Sequence, residues 1–106
     1  KVTGCSVEME LQPGCPPTIN HELDAVFARD VIADVLGLNG LETQMSPTMG
    51  AEDFSYMLKE KEGAYIWLGA GKESQNLHSP LYDFNDELLP MGASLWVRMG
   101  EKKLPL

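Results

Sequence analysis

The sequence predicts an α/β fold in which strands alternate with helices, and three observations predict it. Apolar and acidic residues alternate at positions 7–11, apolar residues recur at helical spacing at 27–36, and a continuous apolar run occupies 64–69. Alternation of helical and extended patterns along a chain is typical of a sheet with helices packed on its faces. The length of 106 residues is that of a single domain.

The chain begins with a predicted strand and a stiff connector. Apolar and acidic residues alternate from Val7 to Leu11, which is typical of a strand with one covered face and one wet face. Three prolines and one glycine in residues 12–17 then exclude regular structure. We interpret this connector as a hinge between two units.

The clearest predicted helix follows the connector. Asn20 is a favourable N-cap residue, and Gly37 is suited to end the helix. Between them lies one broad apolar stripe at helical spacing, formed by Phe27, Ala28, Val31, Ile32, Val35 and Leu36.

The middle of the chain predicts two more strands around a short helix. Alternation at 41–45 indicates a strand, and the spacing of apolar residues at 54–58 indicates a helix. We expect Met49 and Met57 to pack in the core. The apolar run at 64–69 is too short for a buried helix, so it predicts a central strand covered on both faces.

The last predicted element is a helix that begins near Pro90, a residue that fits the first helical turn. Its lysines at 102 and 103 suit a helix C-terminus. The side chains expected to point inward are Met91, Leu95, Trp96 and Met99.

The charge balance argues against two classes of partner. The chain has 8 basic and 16 acidic residues and a net charge of −8. Long-range repulsion therefore disfavours nucleic acid and anionic membrane surfaces as partners. No apolar run approaches the ~18–20 residues that a membrane span requires.

The two cysteines indicate a compartment. Cys5 and Cys15 fit no zinc or redox motif, and we expect free thiols in a cytoplasmic protein. Because the first residue is Lys rather than Met, we also expect this chain to be a piece of a longer protein.

Two places could carry chemistry, and each has a structural alternative. His78 lies in a loop beyond the predicted central strand, where α/β sheets bind ligands, but it could equally be a hydrogen-bonding loop residue. The Gly50–Ala51 loop runs into a helix whose first N–H groups could face an anion. Glu52 and Asp53 could instead simply complement the helix dipole. We predict that His21 is a surface residue.

Five short segments resemble one family in the right order. They are Pro16-Pro17-Thr18-Ile19-Asn20, the run from Met49-Gly50-Ala51-Glu52-Asp53-Phe54 to Ser55-Tyr56, Gly63-Ala64-Tyr65, Leu77-His78-Ser79-Pro80, and Leu88-Leu89-Pro90-Met91-Gly92. Together they resemble the C-terminal part of the zinc-type amidohydrolases that cleave N-acyl amino acids, hippurate and auxin conjugates, a family related to aminoacylases. The resemblance extends from about Gly4 to Gly100.

The resemblance implies a domain organisation. Residues 1–12 match the last strand of a lid (dimerisation) domain, 13–20 a hinge, and 21–106 the C-terminal portion of a zinc-peptidase-like catalytic domain. Members of that family are close to four times this length. His78 matches the family's C-terminal metal ligand. The remaining ligands and the general base would belong to an N-terminal part, so no catalytic residue is expected in this chain.

The implied function is hydrolysis of the amide bond of N-acyl amino acids or related conjugates, with zinc, manganese or cobalt as cofactor. We further expect Gly50 and Ala51 to border the substrate, an inference from their position rather than from the resemblance. We expect the isolated chain to be inactive, to hold no metal tightly and to form a homo-oligomer by strand pairing through residues 2–11. The alternative is a stand-alone, non-catalytic α/β binding or dimerisation module, which the length of the encoding gene would distinguish.

Overall fold

Helices make up the regular structure of the residues that the structure describes. The computed structural model describes residues 3–104. Within this range α1 spans Glu22–Leu36, α2 spans Phe54–Glu60 and α3 spans Leu88–Lys103, and a single 3-10 turn at Leu38–Gly40 follows α1. None of the helices in the described range is both long and apolar enough to cross a lipid bilayer.

The three helices confirm the helical predictions. α1 ends where expected, at Gly37, whose positive φ of 73° is readily adopted by glycine and whose N–H donates to the Ala33 carbonyl at 2.9 Å. α3 begins at Leu88, so Pro90 lies in the first turn, where its missing N–H has no partner to lose. The residue before α1 is His21 rather than Asn20, and neither side chain caps the helix.

The prediction of an α/β fold is wrong for the part of the chain that the structure describes. Residues 3–104 contain no strand, and the segments at 7–11, 41–45 and 64–69 form no ladder of hydrogen bonds. A strand exists only where a neighbouring strand takes its N–H and C=O groups. The side-chain patterns of these segments are suited to strands, but residues 3–104 provide no second strand with which any of them could pair. Residues 1–2 and 105–106, which the predicted lid strand and C-terminal unit include, lie outside the described range.

The buried core is small, with two apolar residues from α1 and one each from α2 and α3. The buried apolar side chains are Ala28, Val31, Leu58 and Leu95. Met49, Met57, Met91 and Trp96 are exposed, so the expectation that they pack inward is wrong. The radius of gyration of 19.1 Å exceeds the ~13 Å of a compact domain of this length. The described residues therefore offer too few neighbours to cover those side chains.

Charged side chains join α1 to α3 along their exposed edges. Asp34 accepts a hydrogen bond from Arg98 Nε at 2.7 Å and lies 3.3 Å from Lys102 Nζ. Near the other end of α1, Lys103 Nζ lies 3.6 Å from Asp24 and 4.7 Å from the centre of the Phe27 ring. Exposed ion pairs contribute little stability individually, so these contacts chiefly fix how the two helices are oriented.

The Asp34 carboxylate is expected to make this helix pair pH-dependent. Arg98 and then Lys102 lower the pKa of the Asp34 carboxyl below its ordinary value of 3.8. The pKa of Asp34 is lower in the folded chain than in the unfolded chain. Its contribution to the free energy of unfolding is therefore complete above the ordinary pKa and is lost as the pH falls through the folded pKa. We expect the urea concentration at the unfolding midpoint to decrease when the pH is lowered below about 4. Asp34→Asn should weaken this pH dependence. An unchanged pH profile in the variant would contradict the assignment.

Candidate functional site

Asn20 and His21 attach the start of α1 to residues 63–65. The Asn20 amide accepts the Tyr65 N–H at 2.7 Å and donates to the Tyr65 carbonyl at 2.9 Å, as a neighbouring strand would. The His21 N–H donates to the Gly63 carbonyl at 3.1 Å, and the Gly63 N–H donates to His21 Nδ1 at 3.2 Å. The same Nδ1 also lies 3.4 Å from the Gly63 carbonyl oxygen, so the ring contacts both backbone groups of Gly63. His21, read from the sequence as a surface residue, is half-buried here.

Glu52 joins the loop before α2 to the same segment. One carboxylate oxygen accepts the Phe54 N–H at 3.1 Å, and the other accepts the Tyr65 hydroxyl at 3.1 Å. The Phe54 N–H is the main cause that lowers the pKa of the Glu52 carboxyl, and the Tyr65 hydroxyl adds to it. The same hydrogen bond is the main cause that raises the pKa of Tyr65. At neutral pH the pair is therefore a carboxylate and an un-ionised phenol.

The predicted substrate residues, Gly50 and Ala51, are exposed and directly precede Glu52. A side chain added at Gly50 would meet only the Thr48 hydroxyl oxygen, at an ordinary 3.7 Å. The loop is therefore open to solvent. Within residues 3–104, no hydrogen bond joins this loop to His78.

His78 is exposed and has an unusual backbone conformation. Its φ of 66° is the one positive value among the non-glycine residues of the described range. It occupies the third position of a turn that the Ser79 N–H closes by donating to the Asn76 carbonyl at 3.1 Å. This left-handed conformation costs an ordinary residue roughly 1–2 kcal/mol. The turn presents the imidazole at the surface.

A cleft of about 440 Å³ flanks the His78 loop, lined by residues 70–74 and 83–86. The Asn85 amide nitrogen donates to the Ala70 carbonyl at 3.4 Å, which joins the two walls. The Asn85 side-chain oxygen, Oδ1, accepts the Glu87 N–H at 3.1 Å, next to the start of α3. The loop that carries His78 therefore connects two segments that are fixed to one another.

The chain does not assemble a metal site from its own described residues. Residues 3–104 contain no group of three or more His, Cys, Asp or Glu side chains that could hold an ion. Protein zinc sites use three or four ligands, so a lone imidazole does not fit a complete site. His78 can act only as one member of a ligand set whose other members lie elsewhere.

Comparison with known proteins identifies the family. The model of peptidase family M20/M25/M40 matches residues 2–102. The chain belongs to this family. Members of the M20/M25/M40 family are generally metal-dependent. The predicted relationship to amidohydrolases is thereby confirmed.

Several relatives from the family have hydrolase or deacetylase names. The chain is 35% identical over 99 residues to the IAA-amino acid hydrolase ILR1-like 4 of Arabidopsis thaliana, covering 90% of this chain and 22% of the relative. It is 34% identical over 92 residues to the hippurate hydrolase of Campylobacter jejuni, covering 84% and 23%. With an N-acetyldiaminopimelate deacetylase of Exiguobacterium sibiricum it shares 30% over 66 residues, covering 62% and 18%. The chain thus spans less than a quarter of the length of these relatives. No solved structure matches it.

Proposed function

We propose that this chain is the C-terminal part of a metal-dependent amidohydrolase that cleaves the amide bond of N-acyl amino acids or related conjugates. The match of the M20/M25/M40 family to residues 2–102 carries the proposal. It is supported by relatives named as hydrolases of an IAA-amino acid and of hippurate, which are both acyl–amino acid amides. The chain spans 22–23% of those two relatives, so the remainder of the catalytic machinery would lie in other parts of the protein.

His78 contributes one imidazole nitrogen to the metal ion in this proposal. The assignment is supported by the turn that presents an exposed imidazole, because His78 has the one positive φ among the non-glycine residues at 3–104. Strained non-glycine residues occur preferentially at functional sites. A divalent ion such as zinc, manganese or cobalt would supply Lewis-acid chemistry for amide hydrolysis.

Gly50 and Ala51 border the substrate, and their exposed loop offers backbone N–H groups to a carboxylate. We also propose a cytoplasmic location and a homo-oligomeric state. The location is supported by Cys5 and Cys15, which are free and exposed. The oligomeric state is supported by apolar side chains that the described residues leave uncovered, among them Val7, Met9 and Trp96.

The isolated chain should show no hydrolase activity. A single imidazole cannot replace the three protein ligands of a catalytic metal site. The assay measures release of amino acid from N-acetyl amino acids and hippurate, with added zinc, manganese or cobalt, and compares the chain with its His78→Ala variant. Turnover by the chain well above that of the variant would sink the proposal that the site is completed elsewhere.

A further inference from the structure

Tyr65 is held by hydrogen bonds from residues that are distant in sequence and by two neighbouring aromatic rings. The Asn20 amide bonds both its N–H and its carbonyl, and the Glu52 carboxylate accepts its hydroxyl. Its ring lies 5.5 Å from the Phe54 ring in a tilted arrangement and 5.9 Å from the Trp67 ring edge to face. Aromatic pairs at these separations are favourable. Tyr65 is therefore a well-defined anchor in a chain with a small core.

Glu52 forms more contacts than a helix-start residue needs. One carboxylate oxygen accepts the N–H of Phe54, the first residue of α2, and so satisfies one of the N–H groups that the helix start leaves without a helical partner. The second oxygen accepts the Tyr65 hydroxyl, thirteen residues further along the chain. A role confined to the helix leaves this second bond unexplained. Because Glu52 is covalently next to Ala51, the bond also restrains the end of the exposed loop.

We propose that the hydrogen bond between Glu52 and Tyr65 is a positioning contact, which sets the place of the Met49–Ala51 loop relative to residues 63–67. The latter segment leads through Ala70 and the cleft wall to the turn of His78. The contact thus connects the loop to which we assign substrate binding with the segment that leads to His78, the proposed metal ligand. The inference rests on the proposed function as far as the substrate role of the loop is concerned.

The charge states of the pair keep this contact in place at neutral pH. The lowered pKa of Glu52 and the raised pKa of Tyr65 both favour an ionised acceptor and a protonated donor. Hydrogen bonds to a charged acceptor are stronger than those between neutral groups. The restraint on the loop should therefore persist across the pH range in which amide hydrolysis is assayed.

The test uses the full-length protein with Tyr65→Phe, which removes the hydroxyl and keeps the ring. Tyr56→Phe is the matched control, because Tyr56 lies exposed on α2 and its hydroxyl bonds to nothing in residues 3–104. For Tyr65→Phe we expect KM for an N-acyl amino acid to rise about fivefold and kcat to stay within about twofold. Hydrogen exchange of a peptide covering residues 46–53 should become faster. Neither quantity should change in Tyr56→Phe.

Glu52→Gln provides a second, graded variant. Its amide keeps an acceptor oxygen for the Phe54 N–H but can meet the Tyr65 hydroxyl only as a neutral NH2 donor, so the charge-assisted bond from Tyr65 to a carboxylate is lost. We expect faster loop exchange in this variant as well, with unchanged metal content. Unaltered exchange of residues 46–53 in both variants would overturn the positioning contact. A wild-type protein without hydrolase activity would instead overturn the proposed function, and with it the substrate role of the loop.

Discussion

In the full-length protein, His78→Ala is expected to lower the hydrolytic rate by at least about 100-fold and to reduce the bound metal. Loss of a residue that merely orients a metal ligand costs roughly 10–100-fold in affinity or activity, and loss of the ligand itself should cost more. Metal content by atomic absorption and initial rates with hippurate measure both effects. The fold should be retained, because His78 is exposed and belongs to no helix.

Two further variants make this result specific. His78→Asn removes the imidazole but tolerates the positive φ at this position, so any loss of activity cannot come from a collapsed turn. His21→Ala removes the other histidine, which bonds Gly63 and should matter for stability rather than for metal. Wild-type metal stoichiometry and a near-normal rate in His78→Asn would show that His78 is not a ligand.

The helices were predictable because their signals are local. The apolar stripe from Phe27 to Leu36 and the glycine at 37 lie within one continuous stretch, and α1 follows them closely. Pro90 similarly marked the first turn of α3. A helix satisfies its backbone groups from within, so its pattern is sufficient wherever a second surface covers one side.

The strand predictions were wrong because a strand depends on distant residues as well as on its own sequence. The alternation at 7–11 and the apolar run at 64–69 predict side chains suited to a strand. A ladder of backbone hydrogen bonds also requires a neighbouring strand. Within residues 3–104, the backbone of Tyr65 finds a side-chain amide, that of Asn20, instead of another strand. The same shortage of neighbours explains why Trp67 and Trp96 remain exposed.

The site assignments at His78, Gly50 and Ala51 remain predictions, whereas the contacts that the structure shows near them were not predicted. His78 was assigned by resemblance, and Gly50 and Ala51 were assigned from their position before a helix; no pattern in the sequence connects Glu52 with Tyr65. Asn20 was predicted to cap α1, since that is the local use of such a residue, yet its partner lies 45 positions away. Hydrogen bonds over such separations depend on how the chain folds back, which short-range patterns do not encode.

The second large effect concerns association of the isolated chain, which we expect to be a dimer or larger at micromolar concentration. Val7, Met9 and Leu11 are each more than four-fifths exposed, and within the described range residues 3–19 donate no hydrogen bond to residues 20–104. Unpaired backbone groups beside an apolar row favour pairing with another chain. Pairing of residues 2–11 between two copies would give the backbone groups hydrogen-bond partners and would cover the apolar row. Residue 2 lies outside the described range.

Variants on the two faces of this segment separate pairing from unspecific aggregation. Met9→Lys places a charge in the apolar row and should shift the sedimentation profile toward monomer. Glu8→Gln, on the other face, removes like charges that would oppose one another between paired strands, so it should leave the dimer intact or strengthen it. The runs contain a reducing agent, because Cys5 lies exposed beside the segment and could otherwise link two chains. A clean 11.7 kDa monomer of the wild-type chain would refute the expectation.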